Sequence, residues 1–240
     1  ITTGFSGAQI ENLINEAVLF AIRNDSLPVN LDTLDLFKDR IMFGQSTKKK
    51  RLSDSALKRI AIHEVGHLLM GLNSKYIEKP EKISIDTSNI ATLGYTMFEI
   101  NEIDEGLYLR EYLEDKLKLL LGGRVAEEVV YGMSVSSGAL SDLENSFNMA
   151  RAMIMQYGMG DKIIYPYFSE QYKKEIDDEI HILINAAYKE TKKSLENYKL
   201  LLLRLSDRLI EKKVMSFKDV TDFIVNFQNT IIKDGNNISV

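Results

Sequence analysis

The stretch Ala61-Ile62-His63-Glu64-Val65-Gly66-His67 carries the pattern HExxH. On a helix, residues four apart share one face, so His63 and His67 present two imidazoles to the same side. That spacing suits one zinc ion, with Glu64 beside it as a carboxylate base. A catalytic zinc keeps three protein ligands and one open position, and it brings the pKa of a water there to about 7. The flanks predict the helix itself. Leu52-Ser53-Asp54 offers a cap, and no proline interrupts Ala56 to Leu72. Leu57, Ile60, Ile62, Val65, Leu68, Leu69, Met70 and Leu72 point to nearly every side, which marks a buried helix. Two histidines and a glutamate inside it are costly unless something pairs with them, and a metal is that partner.

The remaining composition narrows the chemistry. The chain has 240 residues, enough for one large or two small domains. Its 45% hydrophobic and 27% charged residues are those of an ordinary globular protein. A net charge of −5 gives no basic surface for nucleic acid. With no cysteine there is neither a disulfide framework nor a thiolate metal site, so any zinc ligand is His, Asp or Glu. No run of 18 apolar residues suggests a membrane span. The chain opens at Ile1, in mid-pattern and without an initiator Met, and is expected to be a piece of a longer protein.

Outward from the motif, helical periodicity dominates. Ala8 to Asn24 carries a stripe of Ile10, Leu13, Ile14, Ala17, Val18 and Ala21, and Pro28 breaks it. A shorter helix starts at Leu31-Asp32, with Leu34, Phe37, Ile41 and Met42 on its apolar face. The polar, basic run from Gly44 to Arg51 reads as a hinge. Lys82 to Asp86 and Thr92 to Glu99 predict two strands around a turn at Thr87-Ser88-Asn89. Such a sheet offers an edge on which an extended peptide could lie, through Leu93, Gly94, Tyr95, Thr96, Met97 and Phe98. A long helix is expected from Asp104 to Val130. Its Gly122-Gly123 pair suggests a close helix–helix approach, with Gly66 and Gly71 as possible counterparts. Tyr131 to Gly138 is a loop, Ser141 to Tyr157 a helix, and Gly158 to Phe168 a loop again. Ser169 to Lys213 holds one long helix or two, and a last helix runs from the cap at Ser216 to near Ile232. Asp234 to Val240 is expected to be a disordered tail. His181 has no partner four residues on and reads as structural or surface.

Two carboxylates compete as the third ligand. Glu127 lies in an Ala-Glu-Glu block, as a distant Glu does in thermolysin-type sites. Asp142 lies at a helix start, where an anion is also favoured as a cap or dipole partner. On the residues alone the two are even. Arg124 and Glu127 stand as candidates for an ion pair supporting the site.

Four blocks in order carry a family resemblance. GFSGAQIENLINEAVLFAIR (4–23) resembles the end of the ATPase module of FtsH-type, ATP-dependent, membrane-anchored zinc metalloproteases. The motif from His63 to His67 resembles their zinc motif, with Val65 where Ala is usual. LGGRVAEEVVYG (121–132) resembles their Gly-Arg-x-Ala-Glu-Glu helix, and SSGALSDLENSFNMARAMIMQYGM (136–159) the segment that donates their third ligand. The resemblance implies a mainly α fold: a helical zinc peptidase with a small β-sheet, behind a short helical AAA+ lid remnant. It divides the chain into a lid part (1–44), a linker (45–51), the peptidase (52–233) and a tail (234–240). It selects Asp142 to join His63 and His67 around one Zn2+ per chain, with Glu64 as the catalytic base. It implies unfolded polypeptide or membrane-protein substrates and a homohexamer. It also implies a parent protein anchored in the inner or plasma membrane by a segment outside this stretch, with this domain on the cytoplasmic side. No GxxxxGK[ST] occurs, so ATP and Mg2+ belong to a module outside this chain and no ATPase activity is expected of it. Two other readings stand beside the endopeptidase: a catalytically silent subunit with a role in ring assembly, and a metal-free helical interaction module.

Overall fold

The computed structural model describes residues 2, 4–45, 52–86, 91–99, 107–162 and 169–236, with side chains described up to residue 229. Most of the expected linker (46–51), the 87–89 turn, residues 104–106 and the end of the 158–168 loop lie outside the described residues.

Two helices open the chain. α1 (Gly7–Arg23) starts at a capping box, in which Ser6 Oγ accepts from Gln9 N and Gln9 Oε1 accepts from Ser6 N. α2 (Leu31–Phe43) is capped by Asn30. Leu13 and Ala17 of α1 bury against Phe37 of α2 in a small core of their own.

The main core is built around α3 (Asp54–Asn73), which Ser53 caps by accepting from Ala56 N. Ala61, Ile62, Val65 and Leu68 are fully buried, as an all-round apolar helix requires. α4 (Arg110–Tyr131) lies against α3, and α5 (Leu140–Met155), α6 (Glu170–Asn197) and α7 (Lys199–Lys212) complete the helical layer. The α3–α4 approach depends on glycine. A Cβ on Gly66 would collide with the Gly122 carbonyl and Ala126, and one on Gly122 would press on the Gly66 backbone. Gly66 and Gly122 are therefore the matched pair, whereas Gly71 faces the Phe98 ring and Gly123 faces His63.

A three-stranded antiparallel sheet covers one side of α3, in the order β2 (Tyr95–Phe98), β1 (Pro80–Ser84), β3 (Val214–Ser216). Ile83 pairs with Thr96 on one side and with Met215 on the other.

Several boundaries differ from the sequence expectation. β2 is shorter than Thr92 to Glu99, and Leu93 and Gly94 precede it in a bend where Thr92 Oγ1 donates to the Gly94 carbonyl. α4 begins at Arg110, because Leu109 is still extended at φ −75°, ψ 150°. Residues 169–213 form two helices, joined at Tyr198. The third strand was not anticipated. Lys213 takes φ +66°, which ends α7, and the chain extends so that Met215 enters the core. α8 (Phe217–Asn236) passes Ile232, so residues 234–236 of the expected tail are helical.

Candidate metal centre

α3 sends His63 and His67 from successive turns toward α5. Between α4 and α5, a short 3-10 turn (Ser137–Ala139) delivers Asp142 in the first turn of α5. His63 Nε2 lies 3.1 Å from His67 Nε2 and 3.2 Å from Asp142 Oδ2, and His67 Nε2 lies 3.3 Å from that same oxygen. Ligands about 2.0–2.1 Å from a tetrahedral zinc stand about 3.3 Å apart, the size of this triangle. These three residues form a group able to hold a metal among the described residues.

The hydrogen bonds behind the imidazoles decide what the triangle demands. His67 Nδ1 donates to the Leu119 carbonyl at 2.8 Å, and His63 Nδ1 donates to Glu127 Oε1 at 3.0 Å. Each partner is an acceptor, so a neutral ring keeps its proton on Nδ1 and turns the Nε2 lone pair forward. Two nitrogen lone pairs and a carboxylate oxygen then converge with no donor among them, which is repulsive unless a cation sits between. The electrostatics show the same demand. Burial would lower His63, but the bonds to Asp142 and Glu127 outweigh it and raise the imidazole to about 9. Burial likewise works against an ionised Asp142, yet the bonds from His63 and His67 hold it well below the usual carboxylate range.

Glu127 is 1% exposed and fully engaged. It accepts from His63, from Arg59 Nη1 at 3.0 Å, and from the backbone and hydroxyl of Ser136, each at 2.8 Å. These bonds outweigh its burial and hold it at about 2. It lies behind His63, on the Nδ1 side, and is absent from the Nε2 triangle. The anticipated Arg124–Glu127 pair does not form. Arg124 bonds Glu128 four residues on, at 2.9 Å, on the side of α4 that meets Tyr188 and Lys192 of α6, while Glu127 turns in toward α3.

Glu64 is buried beside the triangle, and burial raises its carboxyl above the ordinary value against the pull of both histidines. Thr96 Oγ1 is 3.0 Å from both the Glu64 carbonyl and Oε2. Gly94 packs on the same side chain, since a Cβ there would meet Glu64 Cγ, Oε1 and Ile60. Of the stretch 93–98, Thr96 and Gly94 therefore reach Glu64 and Phe98 packs on α3. Leu93 is partly exposed, and Tyr95 and Met97 turn to the opposite face, against Phe43. His181 sits on α6, bonded to Asn185, away from the site.

Sequence reasoning missed Arg59, Ser136, Gly123 and the Leu119 carbonyl as supports of the histidines. Arg59 stands four residues before His63, so their shared helix face was available as a signal. A backbone carbonyl leaves none. Among the described residues, no helix is long and apolar enough to cross a membrane.

Residues 50–167 match peptidase family M41, and residues 1–36 match the AAA+ lid domain. The "ATP-dependent zinc metalloprotease FtsH" of Rhodothermus marinus is 34% identical over 239 residues, covering 93% of this chain and 34% of that protein. The Syntrophobacter fumaroxidans relative of the same name is 32% identical over 254 residues, 98% of this chain and 39% of its own. That of Mycoplasma genitalium is 35% identical over 237 residues, 93% and 34% respectively. The chain spans between a third and two-fifths of these relatives' length. The chain thus pairs a match to the AAA+ lid domain with a match to peptidase family M41, and it is similar to proteins named ATP-dependent zinc metalloprotease FtsH.

Proposed function

We propose that this chain is the zinc-dependent endopeptidase part of an FtsH-like protease. The observation that carries the reading is the convergence of His63 Nε2, His67 Nε2 and Asp142 Oδ2 in a triangle of zinc dimensions, with Glu64 buried beside it. His63, His67 and Asp142 hold the metal, and Glu127 and the Leu119 carbonyl keep the two rings in the ligating tautomer. Zinc, when bound, supplies Lewis acidity that makes a water easier to deprotonate and a carbonyl easier to attack. Glu64 takes the proton of the attacking water and later gives it to the leaving amide nitrogen. Burial, which raises its carboxyl above the ordinary value, favours its holding that proton. Thr96 holds one oxygen of Glu64, and β2 offers its edge to an extended peptide, which keeps the substrate backbone close to that carboxyl.

The wider roles follow the family resemblance: substrates are unfolded polypeptides, copies assemble as a homohexamer, and proteolysis depends on ATP. By the same resemblance the parent protein is membrane-anchored, with the peptidase on the cytoplasmic side. An intact ligand triangle and base favour an active subunit over a silent one. The test is cleavage of casein or a flexible peptide that a chelator stops and added zinc restores. Glu64→Gln should keep zinc and lose about 10²–10⁴-fold in turnover, the range of one general base. Full turnover by that variant would remove Glu64 from the mechanism.

A further inference from the structure

Helix α2, in which the match to the AAA+ lid domain (residues 1–36) ends, is built into the support of the candidate substrate strand. Asp39 of α2 accepts from the Tyr95 hydroxyl of β2 at 2.6 Å and pairs with Lys82 Nζ of β1 at 2.8 Å, so one carboxylate ties two neighbouring strands. Beside it, Lys38 is 5% exposed and pairs with Glu81 Oε1 at 2.7 Å, at the point where the β1–β2 register shifts. Phe43 stacks on Tyr95 with ring centroids 4.2 Å apart. Just beyond α2, the Gly44 carbonyl accepts from Ala91 N.

β2 needs this support. It is four residues long and pairs with β1 alone among the described strands. One face is held by α3, through Thr96 on Glu64 and Phe98 on Gly71. The other, Tyr95 and Met97, meets α2. Charge-assisted bonds are about twice as strong as neutral ones. Sliding α2 away would also leave the buried Lys38 ammonium unpaired. α2 thus fixes the outer face of the strand whose inner face touches the base.

We propose that Asp39 is a positioning residue, through which α2 holds β2 in register and so sets how well a peptide binds. This rests on β2 being the substrate strand. Asp39 itself touches neither substrate nor metal, so its loss acts on KM before kcat.

The test compares Asp39→Ala and Tyr95→Phe with the parent chain, and with Asp32→Asn as a charge control on the exposed side of α2. Three quantities are read: peptide KM and kcat, zinc content, and amide hydrogen exchange of residues 95–98. Asp39→Ala should raise KM roughly three- to tenfold, the span of one ordinary hydrogen bond. It should speed exchange at 95–98 and leave zinc, and kcat within about twofold, unchanged. Tyr95→Phe, which removes only the hydroxyl, should move KM and exchange the same way by less, and Asp32→Asn should move neither. Should Asp39→Ala not fold, Tyr95→Phe decides on the same readouts. Unchanged exchange at 95–98 overturns the clamp. Faster exchange with unchanged KM overturns the proposal at its other end, since β2 is then not where peptide binds, and leaves the zinc peptidase reading intact. Loss of zinc and kcat together, with KM unmoved, overturns it as well, because Asp39 would then support the fold as a whole.

Discussion

Gly123→Ala adds one methyl group, and its consequences can be worked from both sides of the position. Gly123 lies inside α4, where alanine is ordinarily better than glycine by about 1 kcal/mol. At this site the added Cβ would fall within the His63 imidazole, meeting Nε2, Cδ2 and Cε1 closer than van der Waals contact allows. Overpacking a dense core costs about 1–3 kcal/mol, so the net change in stability is a loss of at most about 2 kcal/mol. The effect on metal is larger in kind. The ring must move by on the order of 1 Å, whereas a zinc–nitrogen bond of about 2.0–2.1 Å tolerates about 0.2 Å. One of three ligands is then misplaced, and zinc affinity should fall by at least about 100-fold, the upper end of what supporting residues cost. A competition titration against a chromophoric chelator measures the affinity, and a thermal melt of the metal-free protein measures the fold. A variant that binds zinc like the parent, with a melting point raised as helix propensity alone would raise it, refutes the placement of Gly123 against His63.

Asp142→Ala should lose zinc and peptide cleavage together. Glu127→Ala should still bind zinc, about 10–100-fold more weakly, because it removes a support and not a ligand; the reverse pattern would exchange the two roles. Acid should destabilise the fold through Glu127 and Glu128. Both carboxyls sit at about 2 in the folded chain against an ordinary 4.5, since bonds from His63, Ser136 and Arg59, and from Tyr188, Lys192 and Arg124, outweigh burial. Below 4.5 the unfolded chain binds more protons, so stability present above that pH is lost as pH falls toward about 2. Denaturant melts of Glu128→Gln should show a shallower loss across that window than the parent, and an identical slope would contradict it.

Much of this was legible from local pattern. The all-round apolar run about His63 predicted the buried helix, and Ser53 announced its start as a cap. The glycine pair 122–123 signalled a close approach. That one glycine would serve helix packing and the other make room for an imidazole depends on the rotation of α4, which no spacing in α4 alone fixes. Residues alone left Glu127 and Asp142 even as ligands, because both are carboxylates within reach by type. Only the fold shows one on the Nδ1 side of His63 and the other on the Nε2 side. Strand β3 escaped because three residues are too few for periodicity, and its pairing with β1 lies more than a hundred residues away in the chain. Within 93–98, the alternation that sends Tyr95 and Met97 to α2 was present in the sequence. What lay on each face was not.

The proposed centre is one zinc ion held by His63, His67 and Asp142 beside Glu64. An anomalous difference map collected at the zinc edge, on crystals of this chain grown with zinc, tests it most directly. One strong peak is expected, bonded to His63 Nε2, His67 Nε2 and an Asp142 oxygen, at about 2.0–2.2 Å from each. No peak there, or a peak bonded to Glu127 in place of Asp142, would contradict it.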